Sequence, residues 1–197
     1  MQLIDFTGLG RADAYTLLSA IVIPRPIAFV TTLGPERNGQ RVVNAAPFSS
    51  FITLTPDPPL VGFITGGTAR SDTLDNVRRS GEFVINSVTE SLALRLERCS
   101  EAVPADVSEI DVAGFALVKS ETVAPPRVKE SPIHLECRLE QLIEFGSAPD
   151  CLIVGRVQCA HVADDIVSGV KIDPLAWKPL GRIAGGLFSR VRELIRV

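Results

Sequence analysis

Fifteen glycines and fourteen prolines, together with Asp-rich breaks, cut this 197-residue chain into apolar runs too short to build a helical core. The runs at 27–33, 42–46, 51–54, 60–65, 83–88, 115–123, 134–145 and 152–163 are rich in Val, Ile, Leu, Phe and Thr and read as β-strands. Short strands separated by turns bury their apolar faces in a sandwich or a barrel, so the expected fold is mainly β. Three short helices, at 12–19, 72–80 and 91–99, flank the strands. The second has a readable start and stop: Ser71 or Asp72 supplies an N-cap, and Gly81 suits the left-handed position past its end.

A length of 197 residues with 46% hydrophobic and 22% charged residues supports one substantial core, hence a single domain over 1–197. The apolar run 17–23 ends at Pro24, well short of the roughly 20 residues that a membrane-spanning helix needs. An apolar excess without a membrane span points to surface buried against a second subunit or to a large core. The start, Met1-Gln2-Leu3-Ile4-Asp5, lacks the basic opening and apolar stretch of an export signal, so the expected location is cytoplasmic. A net charge of −3 with scattered Arg residues does not form the concentrated basic footprint of a nucleic-acid binder. The densest basic group, Arg190, Arg192 and Arg196, alternates with Val191, Leu194 and Ile195 at helical spacing and reads as an amphipathic terminal helix. Cys99, Cys137, Cys151 and Cys159 make no C-x-x-C pair and lack clustered histidines, so no metal site is expected. Cys137, Cys151 and Cys159 lie in strand-like segments, as small buried hydrophobes do.

Two segments carry the ligand chemistry. Ile23-Pro24-Arg25-Pro26-Ile27-Ala28-Phe29-Val30-Thr31-Thr32 and Asn44-Ala45-Ala46-Pro47-Phe48-Ser49-Ser50-Phe51 set hydroxyl and backbone donors beside apolar strand surface. A flat amphipathic ring with a phosphorylated tail, such as flavin mononucleotide (FMN), requires that pairing. Thr65-Gly66-Gly67-Thr68-Ala69-Arg70-Ser71-Asp72-Thr73 then runs from a strand into a helix N-terminus, where unpaired N–H groups favour an anion and Arg70 adds charge. Other nucleotide motifs fail on spacing. Gly62 and Gly67 begin a P-loop, but Thr68-Ala69 stands where Lys and a hydroxyl residue belong; Gly8-Leu9-Gly10 lacks the third glycine of a dinucleotide fingerprint. There is no G-x-S-x-G elbow, and two histidines give a hydrolytic triad little to work with. His134 shares its alternating face with Glu136, Arg138 and Glu140 and reads as a polar-face residue; His161 ends a strand, where it is either a satisfied structural histidine or a rim residue whose imidazole can meet a second substrate.

The segments 24–32, 44–51 with Asp57-Pro58-Pro59, 72–86, and Glu136-Cys137 with Ile153-Val154-Gly155-Arg156-Val157 occur in an order and spacing that resembles the flavin reductase-like, FMN-binding split-barrel family. The resemblance implies a six-stranded antiparallel barrel with flanking short helices, paired as a homodimer, with FMN near the subunit interface. By position it implies that Arg25, Thr31 and Thr32 border the flavin or its ribityl chain. Asn44, Ala45, Ala46, Pro47, Phe48, Ser49, Ser50 and Phe51 would hold the ring edge and phosphate. Arg70 and Thr73 would complete the phosphate site. Leu180-Gly181-Arg182-Ile183-Ala184-Gly185-Gly186 is similar to the family's terminal Arg-Leu-Gly-Gly element and brings Arg182 toward the flavin. The chain departs from the family pattern at Ser71, which separates Arg70 from Asp72-Thr73, and at Phe188, where a tyrosine is usual. The implied activity is a flavin reductase, an FMN oxidoreductase taking hydride from NADH or NADPH and passing reduced flavin to a second acceptor such as a monooxygenase component. Hydride transfer to a flavin needs no strong base, so scarce histidine is no obstacle, and His161 is the candidate nicotinamide contact. The alternative is a non-enzymatic FMN-binding electron-transfer or flavin-storage protein without nicotinamide access.

Overall fold

The computed structural model describes residues 1–37, 39–66, 71–101, 103–104, 106–146 and 150–197. Helix α1 (Arg11–Ile21) is followed by β1 (Arg25–Pro26), β2 (Ala28–Arg37), β3 (Gln40–Phe48), β4 (Ile52–Pro56) and β5 (Pro59–Thr65). Helix α2 (Asp72–Ser80) leads into β6 (Glu82–Asn86), and a 3-10 turn (Glu90–Leu92) into α3 (Ala93–Arg98) and α4 (Glu109–Ala113). Then come β7 (Leu117–Val118), β8 (Arg127–Val128) and the long hairpin of β9 (Ile133–Phe145) and β10 (Asp150–Val162). The chain closes with β11 (Val167–Ser168), β12 (Lys171–Ile172), α5 (Pro174–Trp177), β13 (Leu180–Arg182) and β14 (Phe188–Arg190).

The main sheet is antiparallel in the order β3-β2-β6-β9-β10-β5-β4. It has seven strands where six were expected, because the Asp57-Pro58 turn folds β4 back along β5 and adds it to the edge. Both faces of its centre are covered, which is why 27–30 reads as an unbroken apolar run instead of an alternating one. Ala28 and Val30 point into a core with Phe63, Phe83, Ile85, Cys137 and Ile153, closed by Leu74 and Val77 of α2. Ile27 and Phe29 point the other way, into a second core with Leu92 and Leu96, Ile110 and Ala113 of α4, Phe115 and Val128. Helix α2 is capped as expected: Ser71 Oγ accepts from Leu74 N at 3.3 Å and Gly81 adopts φ 69°.

Two expectations are corrected. The run 115–123 yields only the two-residue strand β7. Its following N–H groups at Glu121 and Thr122 donate to the Glu136 carboxylate, and Ser120 Oγ bonds Pro125 O at 2.6 Å, so that backbone closes a turn and not a ladder. No terminal helix forms either. Phe188–Arg190 pairs with β13, and the residues after Arg190 have no regular structure. Arg190 and Arg192 reach Glu90 at 3.8 and 3.1 Å, and the short remainder is below the length at which an isolated helix is stable.

Candidate functional site

A small sheet in the order β1-β13-β14 builds the first cluster. Its register sets Arg25 opposite Arg182 and Arg182 opposite Phe188, so two guanidinium groups and an aromatic ring lie in one row. Arg182 is paired to Glu97 at 2.7 Å and lies over the Phe188 ring at 4.6 Å. Arg25 donates to the carbonyls of Ser19 and Val22, at the end of α1, and stands 3.5 Å from Ser49 Oγ. These groups border a cleft of about 310 Å³ with Tyr15, Ile27, Pro47, Leu96 and Phe188 among its apolar walls. Of the expected site residues, the structure thus brings together Arg25, Pro47, Ser49 and Arg182.

The hydroxyls and amides expected at the same site form a different cluster. Thr73 Oγ1 and Thr32 Oγ1 donate to Asn44 Oδ1 at 2.9 and 3.2 Å, and Asn44 Nδ2 donates to Glu109 Oε1 at 2.8 Å. The other Glu109 oxygen accepts from Ala45 N at 2.9 Å. Burial pushes the Glu109 carboxyl above the ordinary carboxylate range, only partly offset by the N–H groups of Ala45 and Asn44, while Asp72 adds to the rise. Thr31 is fully buried and donates to Pro126 O at 2.6 Å, under the loop that covers the outer face of the sheet. Ser50 Oγ accepts from Ile64 N at 2.8 Å and ties β5 to the segment before β4. Phe48 packs on Phe63 at 5.0 Å between ring centres; Phe51 packs against the same core and Ala46 is half-buried. Arg70 lies outside the described residues.

His134 is not on a solvent face. It is buried, its Nε2 lies 2.8 Å from Val128 O, and burial lowers its pKa. The loop folded over β9 covers the positions that alternation assigns to water. Glu136 beneath it has no exposed surface and receives Thr122 Oγ1, Glu121 N and Thr122 N, with His161 Nε2 2.8 Å away. Burial alone would raise this carboxyl, but those hydrogen bonds together outweigh it and hold it down at about 2. Cys159, His161 and Glu136 are close enough to offer a metal three ligand atoms. The Glu136 lone pairs are already committed to these donors, and the Arg127 guanidinium lies 3.7 Å away, an arrangement that satisfies the carboxylate with the chain's own groups. His161 is not among the residues lining the cleft.

Sequence reasoning missed Glu109, Asn76, Glu97 and Tyr15. Glu109 had a signal: it stands four residues before buried Ala113 and next to buried Ile110, on the inward face of α4. Glu97 and Tyr15 had none, since their roles depend on where β13 and α1 return in space.

The family model for the flavin reductase like domain matches residues 19–182. The chain belongs to this family. It is 41% identical to the uncharacterized protein BH2278 of Halalkalibacterium halodurans over 194 residues, which span 94% of this chain and 90% of that one. Among solved structures, it is similar to nitrilotriacetate monooxygenase component B from Bacillus cereus, with a TM-score of 0.94 at 33% identity over 100% of this chain and 98% of that one. It is also similar to the 2-nitrobenzoate 2-nitroreductase NbaA of Pseudomonas fluorescens, with a TM-score of 0.89 at 30% identity over 100% and 95% of the two chains. The seven-stranded sheet with its flanking helices is the split barrel of the flavin reductase-like family.

Proposed function

We propose that this chain is an NAD(P)H-dependent flavin reductase that binds FMN at the Arg25–Arg182 cleft, works as a homodimer and passes reduced flavin to a second acceptor. The observation that carries the reading is the row of Arg25, Arg182 and Phe188 beside Ser49, at a cleft walled by Tyr15, Pro47 and Leu96, in a flavin reductase-like chain. The donor set fits FMN: guanidinium and hydroxyl groups match a phosphate, and aromatic and aliphatic walls match a flat ring. Bound FMN supplies two-electron acceptor chemistry that no side chain offers.

The chain's own residues bind and orient. Arg182 is neutralised by Glu97, whereas the described partners of Arg25 are uncharged oxygens, so Arg25 keeps its full charge for an anionic ligand. Tyr15 and Phe188 supply aromatic surface to the wall of the cleft. The similarity to a monooxygenase component B supports a partner oxygenase as acceptor, and the similarity to NbaA supports a nitroaryl compound as another.

The test is a titration followed by an anaerobic reduction. FMN is expected to bind more tightly than riboflavin, and Arg25→Ala to remove roughly 1.5–3 kcal/mol of that preference, the range of a hydrogen bond to a charged group. NADH or NADPH is then expected to bleach the bound flavin, and 2-nitrobenzoate or oxygen to restore its colour. Colour that persists with both nicotinamides would instead mark an electron carrier.

A further inference from the structure

The four cysteines make no metal motif along the chain, but strand pairing in the β9–β10 hairpin brings one of them to ligands that spacing does not. The register sets Glu136 opposite Cys159 and His134 opposite His161. Residues two apart on a strand share a face, so a carboxylate, a thiol and two imidazoles stand together on one side of the hairpin. His161 Nε2 lies 2.8 Å from Glu136 Oε1 and 3.7 Å from Cys159 Sγ, and the three atoms fall within 4.8 Å of one another. Cys159 is half-buried and the His161 side chain 27% exposed, so the cluster can be entered from solvent although Glu136 is fully buried.

The hydrogen-bond count shows what a cation would displace. Glu136 Oε2 accepts from Thr122 N and Thr122 Oγ1, which fills its two lone pairs, and Oε1 accepts from Glu121 N. The second Oε1 lone pair meets the proton on His161 Nε2. A neutral imidazole carries that proton on either nitrogen, and with it on Nδ1 the Nε2 lone pair is bared toward Oε1. Around a tetrahedral Zn2+ an imidazole nitrogen stands roughly 3.3 Å from a carboxylate oxygen and roughly 3.6 Å from a thiolate, as the bond lengths require. The nitrogen–sulfur separation already fits, and the nitrogen–oxygen pair opens by about half an ångström when the proton leaves. Arg127, which donates to Lys119 O beside Glu136, offsets part of the anionic charge. The site therefore suits an ion that gains from thiolate and imidazole, and not Mg2+ or Ca2+, which depend on oxygen ligands. His134 adds a second observation. Its Nε2 donates to Val128 O, so its Nδ1 is a bare, buried lone pair with no partner among the described residues, on a ring 6.2 Å from that of His161. A metal-bound water is a donor for such an acceptor.

We propose that Glu136, Cys159 and His161 form a binding site for Zn2+ or a divalent ion of similar softness, with water in the fourth position. Uptake of the ion releases the Cys159 thiol proton and moves the His161 proton from Nε2 to Nδ1. Thr122 and Glu121 stay on the carboxylate and orient it, so the ion fastens the loop that Glu136 already holds. None of the three ligands lines the Arg25–Arg182 cleft, so the site stands independently of the flavin reading.

The experiment titrates the full, tag-free chain with Co2+ and then Zn2+, read by difference absorption, calorimetry and thermal unfolding. One Co2+ per chain is expected to give the thiolate charge-transfer and tetrahedral d–d bands, and Zn2+ to displace it. Zn2+ is expected to raise the unfolding temperature of the wild type but not of Cys159→Ser. Cys159→Ser and His161→Ala are each expected to weaken Zn2+ by more than about a hundredfold, since loss of an outer partner alone costs about 10–100-fold. Cys159→Ala and His161→Gln repeat the measurement if either first variant does not fold. A wild-type chain with neither bands nor Zn2+ heat overturns the site. A charge-transfer band that survives loss of the Cys159 thiol also overturns it, by placing the ion on another cysteine, as does Mg2+ that competes as well as Zn2+.

Discussion

On the alternating run through β9, Glu136 occupies a position whose neighbours Arg138 and Glu140 face solvent or its edge, yet it has no exposed surface. Its carboxylate receives two backbone N–H groups of the covering loop, a threonine hydroxyl and His161, so it pins that loop to the sheet. The consequence is an acid-labile fastening. Unfolded, this carboxyl titrates at the ordinary 4.5; folded, it titrates at about 2. Its contribution is complete above pH 4.5 and is lost as the pH falls toward 2, because the unfolded chain takes up the proton first. That shift is worth about 3 kcal/mol. Urea unfolding at pH 7 and near pH 2 is expected to show the wild type losing about that much more stability than Glu136→Gln across the interval. Equal losses would mean that the loop is held by other contacts. Period-two alternation finds the face a side chain points from; a loop returning from 14 and 15 residues upstream decides whether that face is wet, and the run 133–140 contains no trace of it.

At the scale of elements, legibility follows how local the deciding interaction is. Helix α2 was readable because its determinants lie in its own sequence: a serine cap, an apolar face carrying Leu74 and Val77, and a glycine at the left-handed stop. The terminal segment was not, because its periodicity was real but β13, brought back by the fold, offered a ladder to Phe188–Arg190. The run 115–123 failed as a strand for a related reason, its N–H groups being drawn to a carboxylate on β9. Gly155 shows the same dependence in reverse. It lies at a register shift between β9 and β10, and a Cβ there would run into the ring of Phe83. Gly155→Ala is expected to cost about 1–3 kcal/mol by overpacking this buried site, measured by chemical denaturation. A companion Phe83→Leu should recover part of that loss in the double variant, since it withdraws the ring that the new methyl meets.

For the whole molecule, most of the split barrel could be read from spaced motifs, and the motifs also held four residues that line one cleft, Arg25, Pro47, Ser49 and Arg182. What the motifs could not separate was which hydroxyls face the cleft and which, like Thr31 and Thr32, are taken up inside the protein. The surface carries the remaining expectation, a second subunit. Helix α1 has no buried residue, and Tyr15, Leu18, Ile21, Val22 and Ile23 are all exposed along it and just beyond it. An apolar helix in that condition loses more by facing water than by covering a like surface, at roughly 25 cal/mol for each Å² of apolar area withdrawn from water. The same helix contributes Tyr15 and Ser19 to the cleft, so an interface formed on α1 also shapes the pocket proposed for flavin. Leu18→Glu is therefore expected to shift the protein from dimer to monomer in light scattering and to weaken FMN, while leaving the circular dichroism of the sheet unchanged, because Leu18 is exposed within a single chain. A variant that turns monomeric yet holds FMN as tightly as the wild type would show that each subunit binds flavin alone. A variant that stays dimeric would move the interface away from α1, with the exposed Ile52, Leu54 and Ile64 on β4 and β5 as the next surface to alter.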